Sequence, residues 1–233
     1  MLKIIFKNII LLFSVLVVCT GNAQKFYLET GFSSAYFKDY RNNLGKNTLD
    51  LSYSKSKSPF FEAGYKQYIF TERSQNTVDF LIDKLEFDVG INYSTYKINT
   101  GFISQNTSTP VTYDLSYIAL KSGLNLSVID WERLTLQLHF HFSYDWLTKG
   151  SYNYENKVVD IFKDKTLDRT LFRYHRGANL QYAISDQISI YLNYNMASSF
   201  RERSKDSSSG ESYIFRTNSS SIGLIFNIKD TRG

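Results

Sequence analysis

The residues best equipped for chemistry sit close together in the run RLTLQLHFHFSYDWL, from Arg133 to Leu147, where His139, His141, Ser143 and Asp145 follow one another two apart. Imidazole, hydroxyl and carboxylate are the groups that proton-transfer and acyl-transfer sites use. Two histidines at this spacing could also share a metal ion. Residues two apart on a strand lie ~6–7 Å from one another, so proton transfer would need partners from neighbouring strands. What positions them is therefore the question that the rest of the sequence must answer.

The run itself alternates with period two. Leu134, Leu136, Leu138, Phe140, Phe142, Tyr144 and Trp146 mark one face, and Thr135, Gln137, His139, His141, Ser143 and Asp145 the other. Strict alternation predicts a strand with one apolar and one polar side. Its length exceeds the ~5–6 residues of an ordinary strand and the ~9–11 that cross a bilayer at a tilt.

Seven more segments repeat the pattern. Strand 1 is expected near Phe26 to Phe37, with Glu29 on its polar face, and strand 2 near Phe60 to Phe70, with Glu62 and Lys66. Strand 3 places Glu86 and Asp88 opposite Leu85, Phe87, Val89 and Ile91, and strand 4 places Lys121 opposite Leu120 and Leu124. Strand 6 sets Arg173 and His175 against Phe172, Tyr174 and Ala178. Strand 7 covers 188–196, and strand 8 closes the pattern with Ile222, Leu224, Phe226 and Ile228. The expected fold is all-β, an eight-stranded antiparallel up-and-down transmembrane β-barrel.

The links support this. Short ones fall at Asp130-Trp131-Glu132 and Ser185-Asp186-Gln187, and long polar ones near 38–58, 97–111, 148–168 and 199–211, which places both termini in the periplasm and four long loops outside. Segment 71–84 is longer than a short turn, and a small helix, a bulge or an early start to strand 3 would each accommodate it. A soluble barrel of the lipocalin kind would put the apolar face inside. Here the polar face is rich in Gly, Asn, Gln, His and opposite charges, which suits a crowded lumen. Arg176 falls on the apolar face, either reaching toward lipid phosphates or marking a shift of register.

The polar faces together gather Glu29, Glu62, Lys66, Glu86, Asp88, Lys121, His139, His141, Asp145, Arg173 and His175. An eight-stranded barrel is only wide enough for side chains, and buried charges need partners, so a packed ion-pair and hydrogen-bond network is favoured over a metal site or a catalytic one. No cofactor motif is present: the chain has no phosphate-binding glycine loop, zinc-ligand spacing or dinucleotide fingerprint.

Export precedes all of this. Lys3 and Lys7, the apolar run Ile9 to Val18 and the small residues Gly21-Asn22-Ala23 read as a secretory signal peptide over 1–23, cleaved after Ala23. The run is too short to span a bilayer as a helix. Cys19 follows Val18 rather than a small residue, which argues against lipidation. Cleavage removes the single cysteine, so no disulfide holds the barrel domain, 24–233, together. It also removes Lys3 and Lys7 and lowers the formal charge from +5 to +3, which gives no reason to expect nucleic acid. Eighteen Tyr and eighteen Phe against two Pro favour long strands.

The runs DLSYIALKSGLNLSV (114–128), FHFSYDWL, LNYNMASSF (192–200) and SSSIGLIFNI resemble the outer-membrane β-barrel domain family of Bacteroidota, the PorT-like barrels. That resemblance implies an integral barrel of the cell outer membrane, non-enzymatic and acting in interaction or as a secretion accessory. Its partners would be outer-membrane lipids, lipopolysaccharide and an envelope or secretion-system protein. A lipid A-modifying barrel enzyme and a narrow pore are the alternatives.

Overall fold

In a computed structural model, residues 24–41, 49–50, 56–70, 81–104, 107–164, 167–203 and 212–228 are described. The segment read as a signal peptide, 1–23, lies outside them. Eight strands form the wall: β1 (Gln24–Arg41), β3 (Lys57–Tyr68), β4 (Leu85–Ser104), β5 (Thr107–Trp131), β6 (Leu134–Tyr154), β8 (Thr170–Ala183), β9 (Ile188–Ser199) and β11 (Ser212–Ile228). Each pairs antiparallel with the next, and β1 pairs with β11 to close the ring. Three short strands, β2 (Leu49–Asp50), β7 (Lys157–Asp160) and β10 (Glu202–Arg203), and one helical turn, α1 (Ile161–Asp164), are added at the upper rim. Asp160 caps that turn, accepting a 2.8 Å hydrogen bond from the Phe162 N–H.

The registers fix the barrel's geometry. A row that starts at Leu136 passes through Leu180, Leu192, Ile222, Thr30, Phe61, Tyr93 and Ile118 and returns to β6 at Trp146, ten residues higher. With strands ~4.8 Å apart and ~3.3 Å per residue, that slip requires a tilt of about 40° and a rise of about 2.5 Å per residue along the axis. This lies within the range of membrane-spanning barrels.

At the lower end the turns are tight. Glu132 adopts a positive φ of 50° between β5 and β6, so the turn centres on Glu132 and Arg133, one residue beyond the expected link. Between β8 and β9, Ser185 Oγ accepts hydrogen bonds from the Gln187 and Ile188 amides at 3.3 and 3.1 Å, the bonding that makes serine a turn former. Of the segment 71–84, residues 81–84 are described: they form a turn with Asp83 at φ 55°, and β4 begins at Leu85. Strand 3 therefore does not start early.

The upper end corrects the sequence reading. The links expected near 97–111 and 148–168 are largely strand, because β4, β5 and β6 run on as long hairpins. Glu155 and Asn156, with φ of 49° and 62°, make the two-residue turn that joins β6 to β7. These stretches read as loops because their outward residues are polar. Their inward residues are mostly not: Ile98, Val111, Ile161 and Leu167 are buried, as are Tyr96, Tyr113, Leu115 and Tyr117 next to them.

The wall thus inverts its polarity with height. Through the lower part, outward Ile91, Leu138, Phe140 and Leu192 are exposed and charges point in. Above Asp145 and Arg173 the interior becomes an apolar dome, where the Phe37 ring lies 5.2 Å from that of Tyr113, 5.4 Å from that of Tyr213 and 5.8 Å from that of Phe215. Apolar side chains face outward where lipid would surround them and inward where water would.

Lower down, glycines make room for inward rings. Gly64 and Gly90 pair across β3 and β4, and the Tyr27 phenol lies over both where side chains would otherwise stand. Gly90→Ala should therefore destabilise the barrel by roughly 1–3 kcal/mol, the usual cost of overpacking. The overlapping atom is the Tyr27 hydroxyl, so Tyr27→Phe in the same chain should recover part of that loss in denaturant titrations. No recovery would place the clash elsewhere.

Candidate functional site: the filled lumen

Alternation on every strand directs the polar side chains into one shaft. Glu29, Glu62, Lys66, Glu86, Asp88, Lys121, His139, His141, Asp145, Arg173 and His175 all lie buried there, none more than 7% exposed. They are stacked in tiers rather than drawn into a single centre.

At the bottom, Lys25 pairs with Glu86, which also accepts a 3.2 Å bond from Gln137 Nε2. Lys66 stands over the rings of Tyr27 and Tyr191, at 5.2 and 5.4 Å, a cation held by two aromatic faces. In the middle, Lys121 pairs with Glu62, which accepts from the Tyr27 hydroxyl at 2.8 Å and from Asn92 at 3.2 Å. Glu29 accepts from Tyr191, Asn193 and Ser221 at 2.8, 2.9 and 2.6 Å. Asp88 accepts from Asn125 at 2.9 Å, and His141 Nε2 stands 3.0 Å from it. At the top, Arg173 pairs with Asp145 and donates to Tyr96 and Thr217 at 3.4 and 3.3 Å.

The histidines do not assemble a reactive centre. His139 and His141 stack with ring centres 4.8 Å apart and planes 6° from parallel. No group of three or more metal-ligating side chains occurs among the described residues. Ser143, His175 and Asp145 do meet: Ser143 Oγ is 2.6 Å from Asp145 Oδ1 and 2.7 Å from His175 Nε2. The order of bonds is the wrong one for an activated nucleophile. In a serine triad the carboxylate orients the histidine, and the histidine takes the serine proton. Here the single hydroxyl hydrogen of Ser143 goes to the carboxylate, which can only accept, so Nε2–H of His175 donates to Oγ. Asn195 Nδ2 lies 3.2 Å from His175 Nδ1 and donates to it. The chain Asn195, His175, Ser143, Asp145, Arg173 hands each hydrogen toward the carboxylate, so the acceptor facing the hydroxyl is Asp145 and not the imidazole.

The space left in the shaft is small. A cavity of about 30 Å³ lies between the Lys121–Glu62 pair and Arg173, bordered by Asn92, Ser143, His175 and Asn195. That is room for a water or two in a polar setting. The aromatic dome covers it above.

No family model matches this chain, and no curated protein matches it. Solved structures resemble it remotely. Neisserial surface protein A is 13% identical, with a TM-score of 0.45 over 89% of this chain and 99% of that one. The attachment invasion locus protein Ail of Yersinia pestis is 12% identical, with a TM-score of 0.41 over 87% and 98%. OprG of Pseudomonas aeruginosa is 8% identical, with a TM-score of 0.46 over 88% and 96%. Likenesses this remote assign neither a family nor an activity. The PorT-like resemblance therefore stands on its strand residues alone.

The sequence pattern left out Lys25 and Tyr27 at the foot of the shaft. Both follow from the alternation of β1, since Lys25, Tyr27 and Glu29 share a face opposite Phe26, Leu28 and Thr30. Arg176 does point outward. The register of β8 with β6 and β9 runs unbroken past it, which removes a register shift as the explanation. A lipid-facing arginine costs about 2–4 kcal/mol at the bilayer midplane and about 0–1 near its edges.

Proposed function

We propose that this chain is an integral barrel of the outer membrane that works without catalysis, presenting its upper hairpins to an envelope or secretion-system protein, as the PorT-like resemblance implies. The observation that carries this reading is the division of the interior: a shaft filled by paired charges below, and above it a dome whose aromatic core packs β4, β5 and β6 together beyond the apolar belt. A filled shaft offers no path for solutes, and hairpins packed together make a platform that loses little entropy on binding. The apolar belt and the tight lower turns support the location and the orientation, with the hairpins outside the cell and membrane lipids around the wall.

Photo-cross-linkers at outward-facing Asp114 and Lys149 of the hairpins, followed by mass spectrometry of whole cells, should capture a recurrent envelope protein. The same probe at lipid-facing Leu138 should not capture it. Capture of nothing but lipopolysaccharide from the hairpin sites would set the interaction reading aside.

The reading as a lipid A-modifying enzyme is tested separately. Ser143→Ala should leave the lipid A mass spectrum of the cells unchanged. An acyl-chain difference that depends on Ser143 would reverse the non-enzymatic assignment.

A further inference from the structure

The outward face of β8, β9 and β11 breaks the apolar belt. One row across it reads Arg176, Met196, Asn218 and Ser34, and the next row up reads Tyr174, Ser198, Arg216 and Tyr36. On other parts of the wall most outward positions are apolar, with Phe140 and Phe142 on β6, Ile91 and Tyr93 on β4 and Ile118 and Leu120 on β5, and polar residues such as Thr30 on β1 and Ser122 on β5 stand singly among them. Ser220, just below Asn218, is also outward and exposed. The break is thus carried by Arg176 on β8 and by Arg216, Asn218 and Ser220 on β11, across Met196 of β9, and is not a single misplaced residue.

Its charge is of one sign. Neither row contains a carboxylate, and among the described residues no salt bridge engages Arg176 or Arg216. Arg216 Nε is buried with no hydrogen-bond partner. Measured from Leu134 at the foot of β6, the tilt puts Arg176 about 18 Å up and Arg216 about 29 Å up, against a belt of about 25 Å. Arg176 therefore starts in the upper half of the belt and can extend its guanidinium toward the polar surface. Arg216 stands at that surface. Between the two cations lies an amide, Asn218, which suits sugar hydroxyls and amide-linked chains better than a glycerol ester, while the Ser198 hydroxyl beside it is covered and donates to the Ser199 carbonyl.

We infer that this patch binds one phosphorylated glucosamine lipid of the outer leaflet, lipid A, with Arg176 and Arg216 on its phosphate and Asn218 on its sugar. Guanidinium and phosphate match as a bidentate, charge-assisted pair, and low dielectric strengthens the bond. The inference uses the orientation of the barrel but not its protein partner, so it can fail without disturbing the interaction reading.

The test uses the full mature chain refolded in detergent and native mass spectrometry of retained lipid. Three probes are offered: phosphorylated lipid A, the same lipid dephosphorylated, and phosphatidylglycerol. Phosphorylated lipid A should be retained at one per barrel, and Arg176→Gln with Arg216→Gln should reduce that retention at least tenfold. Loss of two outward cations does not touch the lumen, and the heat-dependent shift in gel mobility verifies that the variant is folded. Asn218→Leu, which keeps both charges and extends the apolar belt, should reduce retention at least threefold and decides the matter should the double variant not fold. Equal retention by wild type and variants overturns the site. Equal retention of dephosphorylated lipid A, or of phosphatidylglycerol, overturns its assignment to lipid A phosphate.

Discussion

Asp145→Leu should destabilise the barrel by about 3–5 kcal/mol, the cost of stranding a buried charge whose partner is removed. Arg173 is 2% exposed and Asp145 fully buried, and the pair lies directly beneath the aromatic dome. Without the carboxylate, the guanidinium keeps long hydrogen bonds to Tyr96 and Thr217 and the faces of the Tyr96 and Phe215 rings, but no anion. Ser143 loses its acceptor as well. Replacing both members, Asp145→Leu with Arg173→Met, should recover most of the loss, since an apolar pair of similar volume often substitutes for a buried ion pair without net cost. Urea titration of the protein folded in vesicles measures all three. A single-variant cost below about 1 kcal/mol, the value of a solvated pair, would mean that water reaches this tier and that the dome does not seal the shaft.

The second large effect belongs to the outer face. Leu138→Arg should cost about 2–4 kcal/mol, because the side chain sits near the middle of the apolar belt and would face lipid. Leu138 lies about 10 Å above the foot of β6 by the same tilt, and 49% of its surface is exposed. Its neighbour Gln137 points the other way, 2% exposed and bonded to Glu86 and Ser127. A lysine at 137 gains a carboxylate partner, so Gln137→Lys should cost less than Leu138→Arg in the same titration. Equal costs, or the reverse order, would contradict the assignment of the two faces.

Much of this was legible in the sequence for one reason. A membrane barrel repeats a two-residue code on every strand, so Leu134 to Trp146 alone distinguishes lipid face from lumen face, and seven further repeats supply the count. The height at which the code changes sign was not legible in the same way. Tyr96 and Ile98, or Tyr113 and Leu115, alternate as strictly as Leu136 and Leu138 do, but nothing local says that their apolar side now points inward. That follows only from where the ring leaves the belt, a property of all eight strands and their tilt. The lumen residues on the polar face could be gathered from the pattern, but their pairing could not. Whether Ser143 meets Asp145 or His175 first is decided by register across β6 and β8, and cross-strand register is not written in either strand.

The seam between β1 and β11 sets an order of events. Gln24 pairs with Ile228, and the pairing continues to Lys38 and Ile214, so the two strands farthest apart in the chain must find each other. The turns between β5 and β6 and between β8 and β9 close almost at once, whereas a loop some hundredfold longer costs about 4 kcal/mol more in chain entropy by the logarithmic rule. Closure of the ring therefore comes last and sets the folding rate. Until then the growing sheet carries two bare edges, each a template for another strand. The nascent barrel is consequently open to mispairing at both edges, and the aromatic contact of Phe26 with Phe226, at 6.5 Å, forms only when those two edges meet.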